Sequence, residues 1–145
     1  MSTRANVIIE AKGSWGGTSY VNRLYFYRHS DGYPEGVMPT LNKFIEWLKA
    51  DKIRNNLTQS AGWLVVLGAM EYSSIPDYEK EKPFKTSDRE YGKPETFKEP
   101  TFWKVGAFEP TTGLHGDIEY LYVIDLANKE IKEVPEKKWK EYEIN

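Results

Sequence analysis

The chain is predicted to be an α+β domain: one antiparallel sheet of about five strands, two helices packed on one face and a long polar insertion. Three observations predict this. The elements read in the order strand, strand, helix, helix, strand, strand, strand, with none of the strand–helix–strand alternation of a doubly wound fold. Leu41, Phe44, Ile45 and Leu48 recur at helical spacing, while Val7/Ile9, Leu24/Phe26 and Tyr120/Tyr122/Ile124 recur at the two-residue period of a half-buried strand. A stretch rich in Pro, Lys, Glu and Tyr separates the helices from the last strands.

Ala5 to Ala11 forms the first strand, ended by Lys12-Gly13-Ser14, and Gly16-Gly17-Thr18-Ser19 turns the chain into a second strand over about Tyr20 to His29. The two are expected to pair as a hairpin with a long tip around Trp15, which brings Arg4 beside the end of the second strand. A helix is expected from Pro39, where the missing N–H suits a first turn, to Ala50. Asn56 or Thr58 caps a second helix running to about Tyr72; it is apolar nearly all round, so more than one side should be covered, and Gly62 and Gly68 permit close backbone packing, with β-branched Val65-Val66 leaving a strand as the weaker alternative. Pro76, Pro83, Pro94 and Pro100 prevent a long helix in the insertion, taken as residues 73–102. Trp103 to Glu109 reads as a strand, Pro110 to Gly113 as a turn, Ile118 to Leu126 and Glu130 to Val134 as strands, and residues 135–145 as a polar tail, either frayed or docked as a strand on a neighbour.

The 145 residues suit a single domain spanning 1–145, large enough to bury a core without cross-links. There is no cysteine, which excludes thiolate metal sites and cysteine nucleophiles and fits a reducing cytosol. With 20 basic and 22 acidic residues, the net charge of −2 offers no general attraction to nucleic acid or to anionic membrane. The apolar runs Val7-Ile8-Ile9 and Ala61 to Met70 are too short for a secretory core or a bilayer span, so a cytoplasmic location is expected.

Chemistry-bearing residues are densest from Tyr25 to Gly36, Tyr-Phe-Tyr-Arg-His-Ser-Asp-Gly-Tyr-Pro-Glu-Gly. Asp31-Gly32 and Pro34-x-Gly36 are turn chemistry leading into a helix, whose N-terminal amides and dipole favour an anion. Arg4 and Arg28 can fork to phosphate oxygens, Tyr25, Tyr27 and Tyr33 can stack on a base, and Asp31 can accept from a hydroxyl or amino group. The same residues also make an ordinary bend in which His29 caps a backbone group and Asp31 braces the turn. Both histidines stand two residues before an aspartate, His29-Ser30-Asp31 and His115-Gly116-Asp117. Brought together, they would supply an acid/base pair for a phosphodiester or ligands for a divalent metal. Phosphate-loop, nucleophile-elbow and zinc-protease signatures are all missing, and no cofactor is expected.

The opening Met-Ser-Thr-Arg-Ala-Asn-Val-Ile-Ile, together with Tyr27-Arg28-His29-Ser30-Asp31-Gly32-Tyr33-Pro34-Glu35-Gly36, resembles a family of small uncharacterised bacteriophage and bacterial proteins with a Thr-Arg-Ser-like start and a Tyr-x-His-x-Asp-Gly-Tyr-Pro-x-Gly loop. The resemblance covers about the first fifty residues; Ala5 stands where the family pattern has serine. It singles out Arg4, His29, Asp31, Gly32, Tyr33, Pro34 and Gly36. By analogy with small phage proteins that block host defence, some by sequestering nucleotide signals, it implies a non-enzymatic accessory protein. The site expected is then Arg4, Arg28, His29, Asp31, Gly32, Tyr33, His115 and Asp117 around a small anionic or nucleotide ligand. The alternatives are a phosphodiesterase or nuclease built on His29 and His115 with Asp31 and Asp117, and an interaction module that occupies a host protein; a homo-oligomer is a further partner expectation.

Overall fold

The computed structural model describes residues 2–72, Ile75 and 106–144. Strands β1 (Ala5–Trp15) and β2 (Thr18–Arg28) are followed by helices α1 (Pro34–Lys49) and α2 (Leu57–Glu71), then by β3 (Glu109–Thr111), β4 (Tyr120–Asp125), β5 (Glu130–Glu133) and a 3-10 turn at Glu136–Tyr142. Five strands form one sheet in the order β3-β2-β1-β4-β5 with two helices, an α+β domain. Among the described residues no helix is long and apolar enough to cross a membrane. Apart from Ile75, the expected insertion lies outside the described residues, as do Trp103–Val105 of the strand expected over 103–109.

The sheet is mixed, which corrects the antiparallel expectation: β1 pairs antiparallel with β2 but parallel with β4, in a register that sets Ala5 beside Tyr120 and Ile9 beside Ile124. The physical reason is the connection. β3 lies on the outer edge of β2, so residues 112–119 must cross over β2 and β1 before β4 begins, and β4 then runs alongside β1. β3 itself takes up the first residues of the turn expected at Pro110–Gly113.

Alternation divides the sheet into two faces. Val7, Ile9, Phe26, Tyr122 and Ile124 pack with Val37, Leu41, Phe44 and Leu48 of α1 and with Leu64 and Leu67 of α2. Both helices therefore cover the same face. Ile8, Tyr25, Tyr27, Leu121 and Val123 form a second, smaller core with Ile118 and Val134. The C-terminal segment, expected to fray or add a strand, instead folds onto this second face as the 3-10 turn. Trp139 Nε1 donates to the Val134 carbonyl at 2.9 Å, the Tyr25 hydroxyl donates to the Tyr142 carbonyl at 2.6 Å, and the Arg23 guanidinium lies 4.5 Å over the Tyr142 ring.

Helix α1 begins at Pro34, five residues before the expected start. Pro34, in the first turn, meets the requirement assigned to Pro39; Pro39 sits within the helix on its solvent side, where water can meet the carbonyl left without a donor. Asn56 caps α2 by accepting from the Gln59 amide at 3.1 Å. Of the two α2 glycines, Gly68 is the one used for close approach: a Cβ there would lie 2.9 Å from the Phe108 ring and 3.0 Å from the Ala107 nitrogen.

Candidate functional site

The site is assembled where the 112–119 crossover passes over the end of the second face. Asn6 organises it. Its side chain, fully buried in β1, accepts from the His115 amide at 2.8 Å and donates to the Phe26 carbonyl at 2.8 Å, with the Gly113 carbonyl 3.5 Å away. An amide with both ends engaged fixes the crossover against the sheet, since a buried polar group left unpaired is costly. The Glu119 amide donates to the Arg4 carbonyl at 2.8 Å, which pins the far end of the crossover to the start of β1.

Held in this way, His115 lies flat on the buried Tyr27 ring, with centroids 3.9 Å apart and planes 11° off parallel. The Tyr27 hydroxyl donates to Asp117 Oδ2 at 3.2 Å and lies 3.2 Å from His29 Nδ1. With the phenol proton directed to Asp117, the phenol oxygen is placed to accept from His29 Nδ1, and His29 Nε2 has no partner among the described residues. Burial pushes the Tyr27 hydroxyl up from its ordinary range, and the Asp117 carboxylate adds to this, so the phenol keeps its proton throughout the neutral range. Arg4 Nε stands 3.2 Å from Asp117 Oδ2, an ion-pair distance without hydrogen-bond alignment. His115 Nε2 meets Thr111 Oγ1 at 2.9 Å, leaving its Nδ1 without a partner among the described residues. Beside His115 opens a groove of about 450 Å³, walled in part by Leu114, Ile118, Trp139, Glu143 and Ile144.

Four of the expected site residues, Arg4, His29, His115 and Asp117, therefore gather around one phenol. The other four do not join them. Arg28 is fully buried on the opposite, helix-covered face. It forks to both carboxylate oxygens of Glu71 at 3.0 and 2.6 Å and donates to the carbonyls of Ser30 and Gly36. This corrects its assignment as a phosphate ligand: its donors are engaged within the fold. The bend itself is filled by the chain. Gly32 donates to the Thr3 carbonyl and its own carbonyl accepts from the Tyr122 hydroxyl, while a Cβ at Gly36 would fall 2.4 Å from the Asp31 carbonyl oxygen. Asp31, at φ 55°, accepts from the Tyr33 hydroxyl at 3.3 Å. The metal-ligand set that the alternative reading drew from both histidines and both aspartates is not assembled, because Asp31 turns to Tyr33 rather than to the histidines. Among the described residues no group of three or more His, Asp or Glu is placed to hold a metal ion.

Sequence reasoning missed Asn6, Thr111 and the C-terminal wall. Asn6 carried a signal, a lone amide in the otherwise apolar Ala5–Ile9. Nothing in the local sequence places Trp139 or Ile144 beside His115. Comparison of the chain with protein families, with curated proteins and with solved structures finds no match.

Proposed function

We propose that this protein binds a small anionic, nucleotide-like ligand without reacting with it, at the Tyr27 cluster rather than at the bend. One observation carries this: Arg4, His29, His115 and Asp117 meet at the Tyr27 phenol next to an open groove. The guanidinium of Arg4 and the exposed imidazole of His29 suit an anionic group. Asp117 and Glu143 suit ribose hydroxyls or a base amino group, and the groove between Leu114 and Trp139 suits a flat ring. The resemblance of the first fifty residues to phage accessory proteins extends this, by analogy, to sequestering a host defence signal.

A specific observation also favours a second reading, a phosphodiesterase or nuclease. His29 and His115 contact the same side chain, and each keeps one ring nitrogen open among the described residues, as an acid/base pair requires.

Thermal shift against a panel of linear and cyclic nucleotides tests both. A bound ligand at a hundred times its dissociation constant stabilises the folded state by about 2.7 kcal/mol, a shift readily seen. Recovery of the nucleotide unchanged supports binding alone, and recovery of a cleaved product supports the second reading. No response from any nucleotide, with His29→Ala and Asp117→Ala behaving like the wild-type protein, overturns both.

A further inference from the structure

The β1–β2 hairpin runs well past the sheet that holds it. β4 accompanies β1 only as far as Glu10, and β3 accompanies β2 only over Tyr25–Tyr27, yet the two strands stay paired out to Trp15 and Thr18. Residues 12–22 are therefore a two-stranded arm with no strand on either side among the described residues. Such a ribbon is marginal alone in water, and an open strand edge is a template for pairing with another chain. Natural edges are blunted with charge or proline; from Gly13 to Asn22 there is neither. The arm also exposes the largest apolar side chains near it, Trp15 at 85% and Tyr20 and Val21 at 47% each. Gly16 and Gly17 take positive φ (58° and 83°), the turn that lets the ribbon close tightly at its tip.

At the other end of the same open edge, where β3 begins to cover β2, lies an almost wholly apolar groove of about 230 Å³ walled by Leu24, Phe26, Ala61, Gly62, Val65 and Pro110. The strand alternation that turns Leu24 and Phe26 toward the helices also turns Trp15 to that face. The arm thus carries an apolar knob at its tip, on β1 beside Thr18, and an apolar socket at its base, both on one face.

We infer that the arm pairs with the arm of a second copy. β2 would run antiparallel to β2 of the partner about a two-fold axis normal to the sheet near Val21, with each Trp15 seated in the base groove of the other protomer. The two-fold preserves the face and exchanges tip for base, so one symmetric contact satisfies the open edge, the knob and the socket together. A second copy fits better than nucleic acid, since the basic side chains at the arm's root are already engaged, Arg23 with Glu10 at 2.8 Å and Lys12 with Glu10 and Asp125 at 3.8 and 3.9 Å.

Sedimentation equilibrium of the full-length protein over a concentration series tests this. The expected result is a reversible dimer whose dissociation constant rises roughly tenfold or more in Trp15→Ala, as for an anchor residue, and in Val21→Lys, which sets like charges together at the axis. Both side chains are exposed, so the melting temperature of the monomer should hold. Val21→Cys, in a chain without cysteine, should cross-link the dimer on oxidation. A protein that stays monomeric at every concentration overturns the proposal, as does a dimer that neither substitution weakens or that fails to cross-link.

Discussion

The rings of Tyr27 and His115, eighty-eight positions apart in the chain, lie face to face at 3.9 Å and 11°. The phenol end of that stack reaches His29 and Asp117, and the imidazole end borders the groove, so Tyr27 is the part through which the site is physically connected.

Tyr27→Phe separates the ring from its hydroxyl. The stack on His115 survives, while Asp117 and His29 lose their shared partner, at a stability cost of about 1 kcal/mol for the hydrogen bonds. Nucleotide affinity measured by calorimetry should fall clearly more than stability does. Tyr27→Ala removes the ring as well and should cost about 3–5 kcal/mol by analogy with other large-to-small aromatic core changes. Equal loss of affinity and stability in Tyr27→Phe would argue for a structural role only.

Asn6 touches no solvent and should still control the site. Asn6→Ala leaves the His115 amide without its acceptor and removes the side-chain donor from the Phe26 carbonyl, at about 1–3 kcal/mol. Hydrogen exchange should rise over residues 113–117 before it rises in β4. Asn6→Leu, close to isosteric but without polar atoms, should free the crossover to a similar degree. Unchanged protection in that loop in both variants would show that it is held from elsewhere.

Arg28, fully buried in β2, is joined to Glu71 at the exposed end of α2. Removing Glu71 leaves the buried Arg28 charge without its counter-ion, which typically costs about 3–5 kcal/mol. Glu71→Leu with Arg28 retained should therefore lower the denaturation midpoint strongly, and Arg28→Met combined with Glu71→Leu should recover much of the loss. A near-additive double variant would mean that the pair contributes no coupling.

Acid should weaken the molecule through Asp125. Burial alone would push this carboxyl up, but bonds from the Asn128 side chain and amide, with Lys12 and the Ala127 amide, outweigh it and hold the carboxyl below its ordinary value. A folded-state value depressed below the unfolded one gives stability that is fully present above about pH 4 and is lost as pH falls through the folded value. Asp125→Asn should flatten that acid limb in urea midpoints measured from pH 6 downward, and an unaltered limb would assign it to other carboxylates.

What local sequence decides was legible: the first hairpin, the apolar stripe of α1 and the Asn56 cap. Two things were not. Strand direction is decided by where a connection lands, and nothing inside Tyr120–Asp125 states that its neighbour is β1 rather than β3. The side taken by Arg28 follows from alternation, but its burial depends on Glu71, which is remote in sequence; a charged residue in a strand does not announce a distant partner. For the site, His29, His115, Asp117 and Arg4 stood out by residue type, whereas their meeting point at Tyr27 depends on the crossover that Asn6 fixes.

The parallel alignment of β1 with β4 ties the first strand to be made to one of the last. Ala5 waits on Tyr120, so during synthesis the central strand stays bare along one flank until Tyr120 and the residues after it have left the ribosome. Closure of the sheet is therefore a late, long-range event, slow by topology. A chain stopped short of Tyr120 leaves β1 as an open edge, which a quality-control protease or a neighbouring nascent chain can engage.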